Sequence, residues 1–172
     1  MKSVLYVAAA VLSLLATPTV FAALAVGDRA PGFSVEGAQG GAILTVDLSE
    51  LLEEGPVVIY FFPSAFADPA ASREFADNIA EFRAAGASVV GMSRDSIDTL
   101  ARFSTDVCAG MFPVASANES LVNAFDVNDG AMFNTRTTYV VAPSGKIVFV
   151  HDNQEYGGHV ERVLDFLQLM EK

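Results

Sequence analysis

The sequence predicts an α/β domain with one central mixed β-sheet, helices on both faces and an N-terminal β-hairpin. Three observations lead there. The run VVIYFF at 57–62 is continuously apolar, as a strand buried on both faces requires. Further apolar runs of strand length stand at 87–92, 137–141 and 147–151, and segments of helical period separate or follow them. After the hairpin the order reads β-α-β-α-β-β-α, which packs as one sheet covered by helices. The 172 residues suit a single domain, and 52% hydrophobic residues with 13 Phe fill a substantial core.

The chain opens with a segment of a different kind. Met1 and Lys2 precede the apolar core VLYVAAAVLSLL at 4–15, then ATPT and Val20-Phe21-Ala22, the three parts of a secretory signal. Residues 1–22 are therefore expected to be a leader and residues 23–172 the mature domain, with Ala23-Leu24-Ala25 as a second cleavage site. An uncleaved membrane anchor is the alternative, since no charge stands between Lys2 and Asp28. Export to a periplasm or a secretory route is the expectation, with no membrane contact after cleavage. Asn118-Glu119-Ser120 is a glycosylation sequon that matters only in a eukaryotic secretory route.

Mature residues 25–41 are rich in Gly and Pro, with Phe33 and Val35 alternating as a short strand and 43–46 pairing with it as a hairpin. Asp47 reads as the N-cap of a short helix through about Glu53, stopped by Gly55-Pro56. The central strand at 57–62 breaks at Pro63 into a loop. A helix is expected from about Ala70 to Ala85, with Phe75, Ile79 and Phe82 on one buried face and Gly86 as its stop. Residues 87–92 follow as a strand. Ser96 caps a helix running to about Val107, 112–115 is a short strand, and 120–125 is a brief helix. Strands at 137–141 and 147–151 are joined by the turn Ala142-Pro143-Ser144-Gly145-Lys146. The last helix covers about 158–170, with Val160, Val163, Leu164 and Leu167 in helical period.

The net charge of −11 and pI near 4.4 come from dispersed short clusters, which read as a solvated surface. Loss of residues 1–22 leaves 9 basic against 21 acidic residues and a net charge of −12. No basic face or aromatic-basic interleaving points to nucleic acid. The single Cys excludes an internal disulfide, and two His are too few for a His-rich metal site.

In an open α/β sheet the loop leaving the carboxyl end of a central strand meets a helix N-terminus that favours an anion or thiolate. The loop after 57–62 is thus the place for a nucleophile, and it holds alanines. Five landmarks in order, VGDRAPGFSV at 26–35, VVIYFFPSAF at 57–66, GASVVGMSRDS at 86–96, FPVAS at 112–116 and RTTYVVAPSGKIV at 136–148, carry a family resemblance. From about Leu24 to Leu169 the chain resembles a peroxiredoxin of the alkyl hydroperoxide reductase and thiol-specific antioxidant superfamily. It is most similar to the Q-type, bacterioferritin-comigratory branch. The resemblance implies a thioredoxin fold.

It also implies a catalytic motif of Pro, a Thr or Ser four residues on, and the peroxidatic Cys three beyond that. A Cys at a helix N-terminus near an Arg has a lowered pKa, so its thiolate attacks a peroxide oxygen while hydroxyl and Arg stabilise the leaving charge. On this sequence the Pro is Pro63, the hydroxyl position is Ala67, the peroxidatic position is Ala70, and the arginine is Arg136. Two of the four groups are absent, so peroxidase activity by this route is expected to be lost. Ser72, the nearest hydroxyl, has too high a pKa to replace a thiol and cannot cycle through a sulfenate. Asp68, the one acid in the loop, repels an anionic substrate.

Cys108 is left with two readings, a semi-buried hydrophobe or a remnant resolving thiol able to form mixed or intermolecular disulfides. Arg136 is either an inherited anion ligand or the partner of a nearby carboxylate that holds the loop. His151 and His159 lie near Asp152 and Glu155 without a recognised metal-ligand spacing, and no metal is expected. Met111, Met132 and Phe133 read as core or loop packing rather than a cofactor box, and no cofactor is expected. Three functions follow from these readings. One is a non-peroxidatic binding protein pairing, through a loop surface around Phe66 and Phe133, with an active peroxiredoxin, a thioredoxin-like protein or itself. The second is a thiol oxidoreductase acting through Cys108, and the third an anion or small-molecule binder near Arg136.

Overall fold

The computed structural model of the protein describes residues 24–67, 69–130 and 132–170; the expected leader at 1–22 and the loop acid Asp68 lie outside them. Thirteen elements follow one another: β1 (Ser34–Gln39), β2 (Ala42–Asp47), α1 (Leu48–Glu54), β3 (Val57–Phe61), α2 (Ala70–Asp77), α3 (Ile79–Ala84), β4 (Ser88–Ser93), α4 (Ile97–Asp106), β5 (Val114–Ser116), α5 (Glu119–Ala124), β6 (Thr137–Val141), β7 (Ile147–Asp152) and α6 (His159–Met170). The strands form a single mixed sheet in the order β2-β1-β5-β4-β3-β6-β7.

The unbroken apolar run does become the middle of this sheet. β3 pairs in parallel with β4 and antiparallel with β6, and all five of its residues are buried. Its period of two divides the core. Val58, Tyr60 and Phe62 face a layer built from α2, α3, α4 and α6, around Phe75, Phe82, Phe103 and Val163. Val57, Ile59 and Phe61 face the opposite layer, with Leu48, Leu121, Phe125 and Tyr139. The hairpin β1–β2 joins the sheet through β1 and the short β5, which pair antiparallel.

Caps read from the sequence hold. Asp47 Oδ1 accepts from the Ser49 N–H at 2.8 Å, and Ser96 Oγ accepts from the Thr99 N–H at 3.4 Å. Asn118, read only as a glycosylation site, caps α5, its Oδ1 accepting from the Leu121 N–H at 2.9 Å. The helix expected over 70–85 is divided into α2 and α3 at Asn78. There the side-chain Nδ2 donates to the Glu74 carbonyl at 2.8 Å and the backbone leaves helical geometry, with φ −103° and ψ 9°. An Asn that bonds its own neighbouring carbonyl competes with the helical ladder. Phe75, Ile79 and Phe82 still share one buried face.

Tyr60 is packed against two other aromatic rings. It stacks on Phe75 at 4.3 Å and on Phe62 at 5.3 Å between centroids. Gly91 on β4 leaves room for it, since a Cβ there would lie 2.8 Å from Cε1 and 3.1 Å from the hydroxyl oxygen. Buried and stacked on two rings, the tyrosine has little room to shift. Gly91→Ala is expected to destabilise the fold by about 1–3 kcal/mol, read as a lowered midpoint in urea denaturation with unchanged slope.

Candidate functional site

The carboxyl end of β3 is tied to the ends of two other strands. The Phe62 N–H donates to the Met92 carbonyl at 2.9 Å, carrying the parallel pairing one residue past the strand. Pro63, with no N–H, ends it. The next two residues are fixed by Asp95, which follows β4. Its Oδ2 accepts from the Ala65 N–H at 2.7 Å and from Ser93 Oγ at 2.7 Å, and its Oδ1 accepts from Ser64 Oγ at 3.3 Å. Ser116 Oγ on β5 donates to the Asp95 carbonyl at 2.8 Å. Asp95 therefore knots the ends of β3, β4 and β5 together. In the sequence it stands inside the landmark GASVVGMSRDS at 86–96, with no local sign of these bonds.

Beyond this knot the chain turns sharply. Phe66 has φ 54°, the left-handed region that a bulky residue rarely adopts. Its ring is 44% exposed, packs edge-on against Phe103 at 5.3 Å, and has the Arg102 guanidinium carbon 5.8 Å from its centroid. Ala67 is exposed, and Ala70 is the half-buried first residue of α2, behind Pro69 at the N-cap. Ala67 thus stands on the loop and Ala70 on the first turn of the helix. Behind them the Ser72 hydroxyl is hydrogen-bonded to the Tyr60 hydroxyl, and both residues are buried. Ser72 is sealed from any substrate.

Arg136 arrives from the neighbouring strand. β6 pairs with β3 so that Thr137 stands opposite Phe61, which puts Arg136 at the same end of the sheet as the loop. It is 3% exposed. Its Nε donates to the Gln154 carbonyl at 3.1 Å, its backbone N–H donates to Gln154 Oε1 at 3.2 Å, and its carbonyl accepts from the Asn153 N–H at 3.2 Å. His159 grips the same loop. Its Nε2 lies 2.9 Å from the Asn153 carbonyl and its Nδ1 2.8 Å from Thr138 Oγ1. A carbonyl can only accept, so Nε2 carries the proton and Nδ1 accepts from the Thr138 hydroxyl. The ring is neutral, its pKa lowered by burial first and by the charges of His151 and Arg136 after that. The loop after β7 is thus clamped between a neutral histidine and the buried arginine.

The two histidines do meet, with ring centroids 4.6 Å apart, but both nitrogens of His159 are bonded within the protein. Among the described residues no three His, Cys, Asp or Glu side chains stand together as metal ligands. Cys108 lies just past the end of α4, fully buried beside Phe103 and Phe112. Burial pushes its thiol up to about 12, so it is protonated and unreactive at neutral pH. Met111 packs against the core as expected. Met132 and Phe133 correct the expectation of packing, being 77% and 46% exposed. Their loop leads into β6 and therefore lies at the same end of the sheet as Phe66.

A seven-stranded mixed sheet with helices on both faces, and a loop-to-helix junction at the carboxyl end of its strand β3, is a thioredoxin fold. The AhpC/TSA family model matches residues 26–150. The chain is 33% identical over 126 residues to peroxiredoxin Bcp of Xanthomonas campestris pv. campestris, covering 65% of this chain and 76% of that one. It is 29% identical over 157 residues to chloroplastic peroxiredoxin Q of Sedum lineare, covering 87% and 81%. The crystal structure of peroxidoxin BcpB from Mycobacterium tuberculosis superposes with a TM-score of 0.76 at 28% identity, covering 86% of this chain and 98% of that one. The chain belongs to the AhpC/TSA family, in the Q and Bcp branch of the peroxiredoxins.

The histidine clamp has a pH signature. The folded-state pKa of His159 lies below its unfolded value, as does that of His151, where burial is again the largest cause. As pH falls through the ordinary histidine value of about 6.5, the unfolded chain takes up protons that the folded chain resists, so stability is lost on the acid side. The urea midpoint is expected to fall between neutral pH and mildly acidic pH, and His159→Gln is expected to flatten that dependence.

Proposed function

We propose that this chain is an exported peroxiredoxin-family protein that has no peroxidase chemistry and uses the active-site end of its fold to bind a redox protein. The observation that carries this reading is Ala70 on the first turn of α2, at the position where the family motif has its peroxidatic cysteine. Peroxide reduction needs a thiolate to displace one oxygen of the O–O bond and become a sulfenic acid; a methyl group supplies neither electron pair nor sulfur. Ala67 removes the hydroxyl that would hold the peroxide. The other sulfhydryl, Cys108, is buried and protonated, which weighs against turnover through it.

What remains at this end of the molecule is surface suited to protein contact. Phe66, Met132 and Phe133 are exposed on the two loops there. Exposed aromatic and Met side chains are the residues that anchor interfaces. The left-handed backbone at Phe66 fits a loop held for recognition rather than for its own stability. The partners that fit are an active peroxiredoxin, a thioredoxin-like protein, or a second copy of this chain. The leader-like residues 1–22 support export to a periplasm or secretory compartment.

Peroxide consumption with thioredoxin or glutathione as reductant tests the reading on wild type, on Cys108→Ser and on Ala67→Thr/Ala70→Cys. The first two are expected to show no turnover above the uncatalysed rate, and the third to gain it. Robust wild-type activity that survives loss of Cys108 would overturn the account. Sedimentation of the chain alone and mixed with an active peroxiredoxin is expected to show association that Phe66→Ser/Phe133→Ser weakens at least about thirtyfold, as loss of a ~2 kcal/mol hot spot implies.

A further inference from the structure

The loop between β7 and α6, residues 153–158, is a mostly exposed segment tied down by buried groups. The Asn153 N–H donates to the Arg136 carbonyl at 3.2 Å, and the Gln154 carbonyl accepts from Arg136 Nε at 3.1 Å. The Asn153 carbonyl accepts from His159 Nε2 at 2.9 Å. The loop then runs through Gly157 into Gly158, whose φ of 87° suits glycine, a pair able to absorb a change of backbone direction.

Neither histidine at the base of this loop has room for a further proton while the loop is down. His159 uses both ring nitrogens, and a proton on Nδ1 would end its acceptance from the Thr138 hydroxyl at 2.8 Å. The His151 ring lies 4.6 Å away, and its Nε2 is buried with no partner among the described residues. An imidazolium carries N–H on both nitrogens, so charging His151 leaves a buried donor without an acceptor. The surrounding charges mostly act in the same direction. Arg136, before β6, opposes a proton on His159, and Arg162 of α6 opposes one on His151. Asp152 on β7 favours one on His151, but its Oδ1 already accepts from Thr137 Oγ1 and Gln154 Nε2, each at 3.3 Å. Glu155 meets His159 through its backbone, and Glu74 of α2 faces Glu161 of α6.

We propose that His151 and His159 form a proton-operated latch: uptake of a proton by either ring lifts residues 153–158 off Arg136 as a local step, with the sheet still folded. Lifting the loop lets water solvate both rings. The open form then titrates near the ordinary histidine value of about 6.5 and the closed form below it, so opening is favoured as pH falls through that value. The loop carries Tyr156, 49% exposed, and follows the Thr137–Asp152 pair, at the end of the sheet that bears Phe66 and Phe133. The same step therefore reshapes the surface at that end. The latch needs no partner bound there.

Amide hydrogen exchange of the isotope-labelled full chain, corrected for the intrinsic rate at each pH, is the test. Protection at Asn153 is expected to fall at least about threefold between about pH 7 and pH 5.5. Sub-denaturing urea is expected to leave exchange at Asn153 unchanged while it speeds exchange at Ile59 on β3, because a local opening exposes little surface. His151→Phe/His159→Gln is expected to remove the pH dependence at Asn153. In the wild type, the imidazole resonances are expected to titrate with the same midpoint as the loop. The proposal falls if Asn153 protection does not change over this range, if urea speeds its exchange as it does at Ile59, if the rings titrate without the loop responding, or if the double variant keeps the wild-type dependence.

Discussion

A strand with no free edge and no free face sets the terms for everything around it. β3 is bonded to β4 on one side and β6 on the other, and its alternating side chains are buried in two separate cores. The chain can leave it only through the carboxyl edge of the sheet. There Asp95 fixes Ser64 and Ala65, Phe66 turns the backbone into a left-handed conformation, and α2 begins at Ala70. The positions of residues 67 and 70 follow from these restraints alone, none of which involves their own side chains. The junction would therefore accept a methyl group at either position without being disturbed.

The supporting groups behind the junction are equally independent of chemistry. Arg136 is buried by its place at the start of β6 and held by the backbone of Gln154 and Asn153, a loop that His159 grips from α6. A buried guanidinium near a helix N-terminus is the environment that lowers a thiol pKa. Cys108 experiences the opposite environment, apolar on all sides, and its proton stays on. Arg136 and the start of α2 share one end of the sheet, where the chain has no sulfur, while its one Cys lies where burial keeps it protonated.

Much of this was legible in the residues. Continuous apolar runs marked β3 and β6, and the capping oxygens of Asp47 and Ser96 marked two helix starts. The remainder depends on partners distant in sequence. Asp95 binds residues 30 and 31 positions earlier, and His159 reaches Thr138 21 positions before it; nothing local to either residue announces those bonds. Asn78 sits in the expected helical period, and the bond from its side chain to the Glu74 carbonyl, which divides the helix, has no marker in the periodicity. Met132 and Phe133 show the converse limit, because apolar character says what a side chain can bury and not whether it does.

The central claim is that a thiolate-activating environment survives around a position with no thiol. The measurement that tests it is the pKa of the thiol in Ala70→Cys/Cys108→Ser, read from the ultraviolet absorbance of the thiolate as pH is raised. The account predicts a value at or below about 7.5, well under the ordinary cysteine value of about 8.5. A value at or above that ordinary one would contradict it, and would mean that Arg136 and the start of α2 do not favour a thiolate at residue 70.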